Sequence, residues 1–195
     1  NMGTKKEPIK WGTLKTAVIT GASSGLGKEF AKRLAQKGIN LVISARRTEA
    51  LENLKEELEK QYGITVEVIS KDLSKDEDIY SLAEVIKQRE DIDILLNNAG
   101  YGIPGDLINI DINRAVSMLE VHCKAPLILT HAVLPQLIDK NRGFIINTAS
   151  LASYLPSKNG LYSSTKVFLK MFSRSLQYDI QNTNVRIQAL CPGFF

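Results

Sequence analysis

The strongest constraint on the fold is an alternation that recurs along the chain. Short runs rich in Val, Ile and Leu are followed by stretches of helical periodicity. The apolar runs fall at 16–20, 39–44, 64–69, 93–96, 144–147 and 185–190. Between them lie amphipathic stretches at 28–37, 48–62, 74–89, 113–138 and 160–181. A strand buried on both faces reads as a continuous apolar run, and parallel strands need helical crossovers. With right-handed crossovers this predicts an α/β fold: a doubly wound parallel sheet of Rossmann type, in three αβα layers.

Local signals punctuate the elements. Gly38 follows the first helical stretch, as a C′ glycine does. Ser74 with Glu77 three residues on has the form of a capping box opening the third. Pro126 predicts a kink or break within 113–138. Residues 1–14 are expected to form an N-terminal tail, and 15–195 a single domain.

Composition bears on what the domain binds. Net charge is +4, and Lys alternates with Glu along segments such as 52–60. That is a solvated helix face rather than a basic stripe, so nucleic acid is not an expected partner. No acidic, His or Cys cluster calls for a metal. Cys123 and Cys191 are far apart, outside any CxxC motif, and flanked by apolar residues. They are expected to be buried free thiols in a reducing compartment. Residues 1–10 carry no apolar signal segment, and no run is long enough to span a bilayer. A cytoplasmic protein without a membrane partner is the resulting expectation.

Between the first strand and first helix stands Thr20-Gly21-Ala22-Ser23-Ser24-Gly25-Leu26-Gly27. Glycines permit a tight turn and close approach to a pyrophosphate, and the helix behind them offers free N–H groups. The spacing is GxxxGxG, and a plain glycine turn is the bland alternative. After the second strand the chain reads Ser44-Ala45-Arg46-Arg47, with no carboxylate for the 2′-OH of NAD. Arg46 instead offers a planar fork to the 2′-phosphate of NADP. The alternative is that Arg46 and Arg47 only begin a solvated helix.

Tyr162 and Lys166 lie four apart on one helical face. A nearby ammonium favours a phenolate and moves a phenol towards useful acid–base chemistry. Alone, this pair is a common coincidence. Ser150 strengthens it, because it follows the strand at 144–147 and so lies at the carboxyl edge of the sheet, where ligands bind. Asn97 and Asn98 end a neighbouring strand at the same edge, where they could instead cap the turn.

Taken together, the Gly21/Gly25/Gly27 loop, Asp72-Leu73, Asn97-Asn98-Ala99-Gly100, Ser150, Tyr162-x-x-x-Lys166 and Pro192-Gly193 resemble the classical short-chain dehydrogenase/reductase family. The matches stand in the family's order from Lys15 onward. The resemblance implies that Ser150 orients a carbonyl, Tyr162 moves the proton, and Lys166 holds the nicotinamide ribose and lowers the tyrosine pKa. It implies NADP, with NAD second, bound along Gly21, Ser23, Ser24, Gly25, Leu26, Gly27 and Arg46. Asp72 and Leu73 would border the adenine. Asn98, Ala99 and Gly100 would flank the adenine ribose and nicotinamide side, and Pro192 and Gly193 the nicotinamide. The stretch 98–102 with Gly105-Asp106 is similar to generic oxidoreductases and ketoacyl-type reductases. The expected activity is hydride transfer between nicotinamide and a small carbonyl compound or secondary alcohol. A homodimer or homotetramer paired through 113–138 and 160–181 is expected. A non-catalytic nucleotide-binding regulator or scaffold on the same fold is the alternative.

Three departures stand out. The family usually has an asparagine before Lys124-Ala125-Pro126, holding a water in the proton relay. Here the chain reads Val121-His122-Cys123, and His122 could serve the relay through ring or backbone, or be a helix histidine with no role. Ser150 precedes Tyr162 by twelve positions, one fewer than is usual, and Ser153 lies too far along the loop to replace it. Finally, the family continues past the equivalent of Phe195 with a substrate-covering segment, a helix and a seventh strand, so edge elements are expected to be missing here.

Overall fold

In the computed structural model, which describes residues 6–193, six parallel strands form one sheet in the order β3-β2-β1-β4-β5-β6. The strands are β1 (Thr16–Thr20), β2 (Asn40–Ala45), β3 (Val66–Ser70), β4 (Ile92–Asn97), β5 (Phe144–Thr148) and β6 (Arg186–Leu190). The crossovers are α1 (Gly25–Gln36), α2 (Thr48–Tyr62), α3 (Asp76–Lys87), α4 (Ile112–Leu119), α5 (Ala125–Lys140) and α6 (Leu161–Asp179). Strand order reverses between β2 and β4 around β1. The loops leaving β1 and β4 diverge there, and their carboxyl ends open a crevice.

Each face of the sheet buries its own cluster, as the continuous apolar runs require. Val18, Val42, Leu95 and Ile145 pack under α3 and α5, against Ile79, Leu82, Leu129 and Val133. Ala17, Ile19, Ile43 and Leu96 pack on the opposite face against Ala31, Leu34, Leu51 and Leu54 of α1 and α2. Neighbouring residues of β1 thus serve opposite layers, and all five are buried. Burial of this kind stabilises by about 25 cal/mol per Å² of apolar surface, and it holds the strand ends that carry the polar site residues.

Several local expectations are corrected. No capping box opens α3: Lys75 is its N-cap, without a side-chain bond. The Ser74 hydroxyl and N–H both donate instead to Asp72 Oδ1, at 2.7 and 3.1 Å. A neighbouring carboxylate two residues back outcompetes the helix for the serine, as Asx turns do. The break in 113–138 falls just before Pro126 rather than at it, as a π-helical turn at Glu120–Lys124 between α4 and α5. Pro126 has no N–H to return to the carbonyl of His122, which loosens the helical ladder at this turn. Cys123 and Cys191 are free thiols, as expected, but half-buried rather than buried. Of the expected tail, residues 1–5 lie outside the described residues. The following segment is tied to the sheet: Lys6 Nζ donates to Thr183 O and Val185 O, both at 2.7 Å, and Trp11 stacks on Phe144. Among the described residues, no helix is long and apolar enough to cross a membrane, and no His, Cys, Asp and Glu side chains group as a metal site would need.

Candidate active site

A cleft of about 860 Å³ runs along the carboxyl edge of the sheet, within the size range of small-molecule sites. Its floor at one end is the loop between β1 and α1. Gly21 and Gly25 both take positive φ, +66° and +54°, which the other residue types rarely adopt. A Cβ on Gly21 would lie 2.8 Å from Ala99 Cα, and one on Gly27 would overlap the Gly21 carbonyl. These two glycines let α1 and the end of β4 close on the loop. Ser24, the N-cap of α1, makes no side-chain bond to the helix. The first-turn N–H groups are therefore available to an anion in the cleft.

The far end of the cleft is basic. Arg46, Arg47 and Lys71 line it, with Ser23, Asp72 and Leu73. Arg47 donates to Ser23 Oγ at 3.2 Å. It thereby ties the end of β2 to the phosphate loop, a role that goes beyond starting a helix. Asp72 is occupied by Ser74, and no carboxylate ends β2.

At the other end, Ser150, Tyr162 and Lys166 all line the same cleft. Ser150 opens a short 3-10 turn, its Oγ accepting from Ala152 N–H at 3.0 Å, while Ser153 donates to Ser150 O from outside the cleft lining. Lys166 is 4% exposed, and its Nζ lies 5.5 Å from the centre of the Tyr162 ring. Lys166 Nζ donates to Thr148 O at 2.8 Å. Burial lowers its pKa from 10.5 to about 8. Thr148 Oγ1 in turn donates to Asn98 Oδ1 at 3.2 Å, and Asn98 Nδ2 to Gly21 O at 3.3 Å. Thr20 Oγ1 accepts from Asn98 N–H and Ala99 N–H, each at 3.1 Å. One chain of hydrogen bonds thus runs from Lys166 to the phosphate loop.

Most expected residues meet in this cleft: Gly21, Ser23, Ser24, Gly25, Leu26, Arg46, Asp72, Leu73, Asn98, Ala99, Gly100, Ser150, Tyr162, Lys166, Pro192 and Gly193 all line it. Gly27 and His122 do not. Gly27 is buried beneath the loop, and His122 is fully buried in the π-turn behind the cleft. Asn97 does not cap its turn. It donates to Thr130 Oγ1 and Asn147 Oδ1, at 3.2 and 2.8 Å, and so links β4 to α5 and β5. Thr148, Arg47 and Lys71 were not singled out as site residues. Thr148 had a usable signal, a hydroxyl at the strand end two residues before Ser150.

A model of the short chain dehydrogenase family matches residues 15–195. The chain belongs to the short chain dehydrogenases. It is 37% identical over 183 residues to an NADP-dependent 3-hydroxy acid dehydrogenase of Schizosaccharomyces pombe, covering 92% of this chain and 71% of that protein. It is 32% identical to a very-long-chain 3-oxoacyl-CoA reductase of Anas platyrhynchos, covering 91% of this chain and 59% of that protein. Among solved short chain dehydrogenases, one from Sphingobium yanoikuyae in complex with NADPH superposes with a TM-score of 0.89 at 30% identity, over 92% of this chain and 71% of that one. The chain spans between about three fifths and seven tenths of the length of these relatives.

Proposed function

We propose that the chain carries an NADP(H)-dependent oxidoreductase site acting on a carbonyl compound or its secondary alcohol. The observation that carries this reading is one continuous cleft. It has Arg46 and Arg47 at one end, a glycine loop over a helix N-terminus in the middle, and Ser150, Tyr162 and Lys166 at the other. A dinucleotide has the same order of chemistry: a 2′-phosphate, a pyrophosphate and a nicotinamide ribose. The residues fit that group, since Gly25 leaves open space above it and the basic residues match its phosphates. The relatives named for NADP or solved with NADPH support the same cofactor. The nicotinamide, when bound, supplies or takes up the hydride.

The rest of the chemistry falls to the chain's own side chains. Ser150 Oγ holds the substrate oxygen at the cleft wall. Tyr162 gives its phenolic proton to that oxygen in the reducing direction and takes it back in the oxidising direction. Lys166 binds the ribose and keeps a positive charge beside the phenol, with no carboxylate among the described residues competing for it. Behind it, Pro126 has no N–H to return to the His122 carbonyl, which supports that carbonyl as an acceptor in a proton relay. Residues 15–195 act as one nucleotide-binding domain. Exposed apolar residues repeat along one face of α4 (Ile112, Val116 and Leu119) and of α6 (Val167 and Met171). They support pairing of these helices in a dimer or tetramer.

The test is a panel of ketones, 3-oxo acids and 3-oxoacyl thioesters assayed with NADPH and with NADH. Turnover of at least one class with NADPH, and weaker use of NADH, is the expected result. NADPH binding without turnover of any class would point to a nucleotide-binding regulator.

A further inference from the structure

Tyr101 and Gly102 line the cleft on the β4 side, facing the helix that carries Tyr162. Two separate clamps join this loop to that helix. In the first, the Tyr101 N–H donates to His122 Nε2 at 3.0 Å, so Nε2 must be the bare, accepting nitrogen. The other ring nitrogen, Nδ1, lies 2.9 Å from Thr165 Oγ1. Thr165 already donates its hydroxyl proton to the Tyr162 carbonyl at 2.8 Å. Nδ1 must then be the donor, which sets the imidazole as the neutral Nδ1–H tautomer. Burial, and next the charge of Lys166, lower the His122 pKa to about 3, which keeps the ring in this form. The Tyr101 and Tyr162 rings each stand edge-on to it, with centroids 5.8 Å away. Both ring nitrogens are committed, so the ring itself has nothing left to offer a relay.

The second clamp is Asn159. Its Nδ2 donates to Ile103 O and Gly105 O, at 2.9 and 3.0 Å. Its Oδ1 accepts from Leu161 N–H, at the start of α6, at 3.1 Å. Asn159 has φ +54°, an unusual conformation for a residue with a side chain, and these bonds on both sides hold it there.

We infer that His122, through Thr165, and Asn159 are positioning residues: together they brace the loop 101–105 against the catalytic helix and so set the width of the cleft at Tyr162. This rests on the reading of Tyr162 as the proton-transfer residue. A carbonyl must sit within reach of both the Tyr162 hydroxyl and the hydride, and a misplacement of about 1 Å can cost on the order of 100-fold in rate. The brace supplies that spacing without touching substrate.

The test uses the full chain with NADPH and the best carbonyl substrate. Thr165→Val breaks the first clamp while keeping shape, and Asn159→Asp replaces two donations with a repelling oxygen while still accepting from Leu161 N–H. Each should lower kcat by about 10- to 100-fold, with the NADPH dissociation constant within about twofold of the parent. Thr165→Ser should restore most of the loss. Nitrogen-15 NMR of the parent, with the ring signals assigned by their loss in His122→Gln, should show a neutral Nδ1–H ring from pH 5 to 8. Parent-like kcat in Thr165→Val and Asn159→Asp would overturn the brace, as would an Nε2–H ring or titration in that window. Full turnover by Tyr162→Phe would instead remove the reading of the reaction and leave the ring's tautomer standing.

Discussion

Lys166→Met should make the cofactor-free protein more stable while abolishing turnover. Lys166 is 4% exposed, and among the described residues its amine has the Thr148 carbonyl as partner and no carboxylate. Burial takes its pKa from 10.5 in the unfolded chain to about 8. That difference corresponds to about 3 kcal/mol of unfavourable burial of the charged form at pH 7. Methionine fills a similar volume without charge, and loses a hydrogen bond to Thr148 O that contributes about 1–2 kcal/mol. The variant should gain about 1–2 kcal/mol at pH 7, or roughly 3–6 °C in Tm for a domain of this size. The sign follows from linkage. Between pH 8 and 10.5 the unfolded wild type binds more protons than the folded one, so its stability rises with pH in that window. The advantage of Lys166→Met should therefore shrink by about 2 kcal/mol between pH 7 and pH 9.5 and fall to about zero. Urea titrations of both proteins at the two pH values, without NADP(H), read this directly. A variant less stable than wild type at pH 7, or a gap that does not move with pH, would refute the reasoning.

The cofactor end of the cleft yields further expectations. Arg46→Ala and Arg47→Ala should each weaken NADPH by about ten- to a hundredfold and NADH by about twofold or less, with NADPH binding losing salt sensitivity; fluorescence titration at two ionic strengths checks this. Gly27→Ala should behave differently, because its Cβ would overlap the Gly21 carbonyl and press on Asn98 Nδ2 at 2.6 Å. It should weaken both cofactors alike and cost about 1–3 kcal/mol of stability or more, read by the same titration and by thermal melting.

Much of the architecture was legible because the sheet is buried on both faces. A run such as Ala17–Ile19 must be apolar at successive positions to serve two layers, and that leaves a signal no amphipathic helix imitates. Boundaries were less legible where a local contest decided them. Asp72 captured Ser74, so the start of α3 moved past the expected cap. β3 begins at Val66 rather than at residue 64 because the alternation of Ile64, Val66 and Val68 runs on from the loop into an edge strand. The π-turn was visible only as a proline, since one extra residue in a helical turn leaves little mark on apolar periodicity.

The site divides in the same way. Most residues that touch the cleft directly carry motif spacing and were found, whereas Arg47, Lys71 and Thr148 line it without belonging to a motif. Those that act through another residue were found late or not at all. Thr165 neighbours Lys166 in sequence, yet its partner His122 is 43 positions away. Asn159 reaches back 56 and 54 positions to the loop it holds. Neither pairing has a local signature. The same holds for Lys166: the position was legible, but its burial with Thr148 O as partner, and no acid beside it among the described residues, is a product of packing.

The central claim is that Tyr162 moves the proton that accompanies hydride transfer in this cleft. The most direct measurement compares wild type with Tyr162→Phe for single-turnover oxidation of NADPH by the best carbonyl substrate, alongside NADPH binding by fluorescence. The account predicts that Tyr162→Phe binds NADPH within about twofold of wild type and loses about a hundredfold or more in the chemical step. A variant that binds NADPH and oxidises it at the wild-type rate would contradict it.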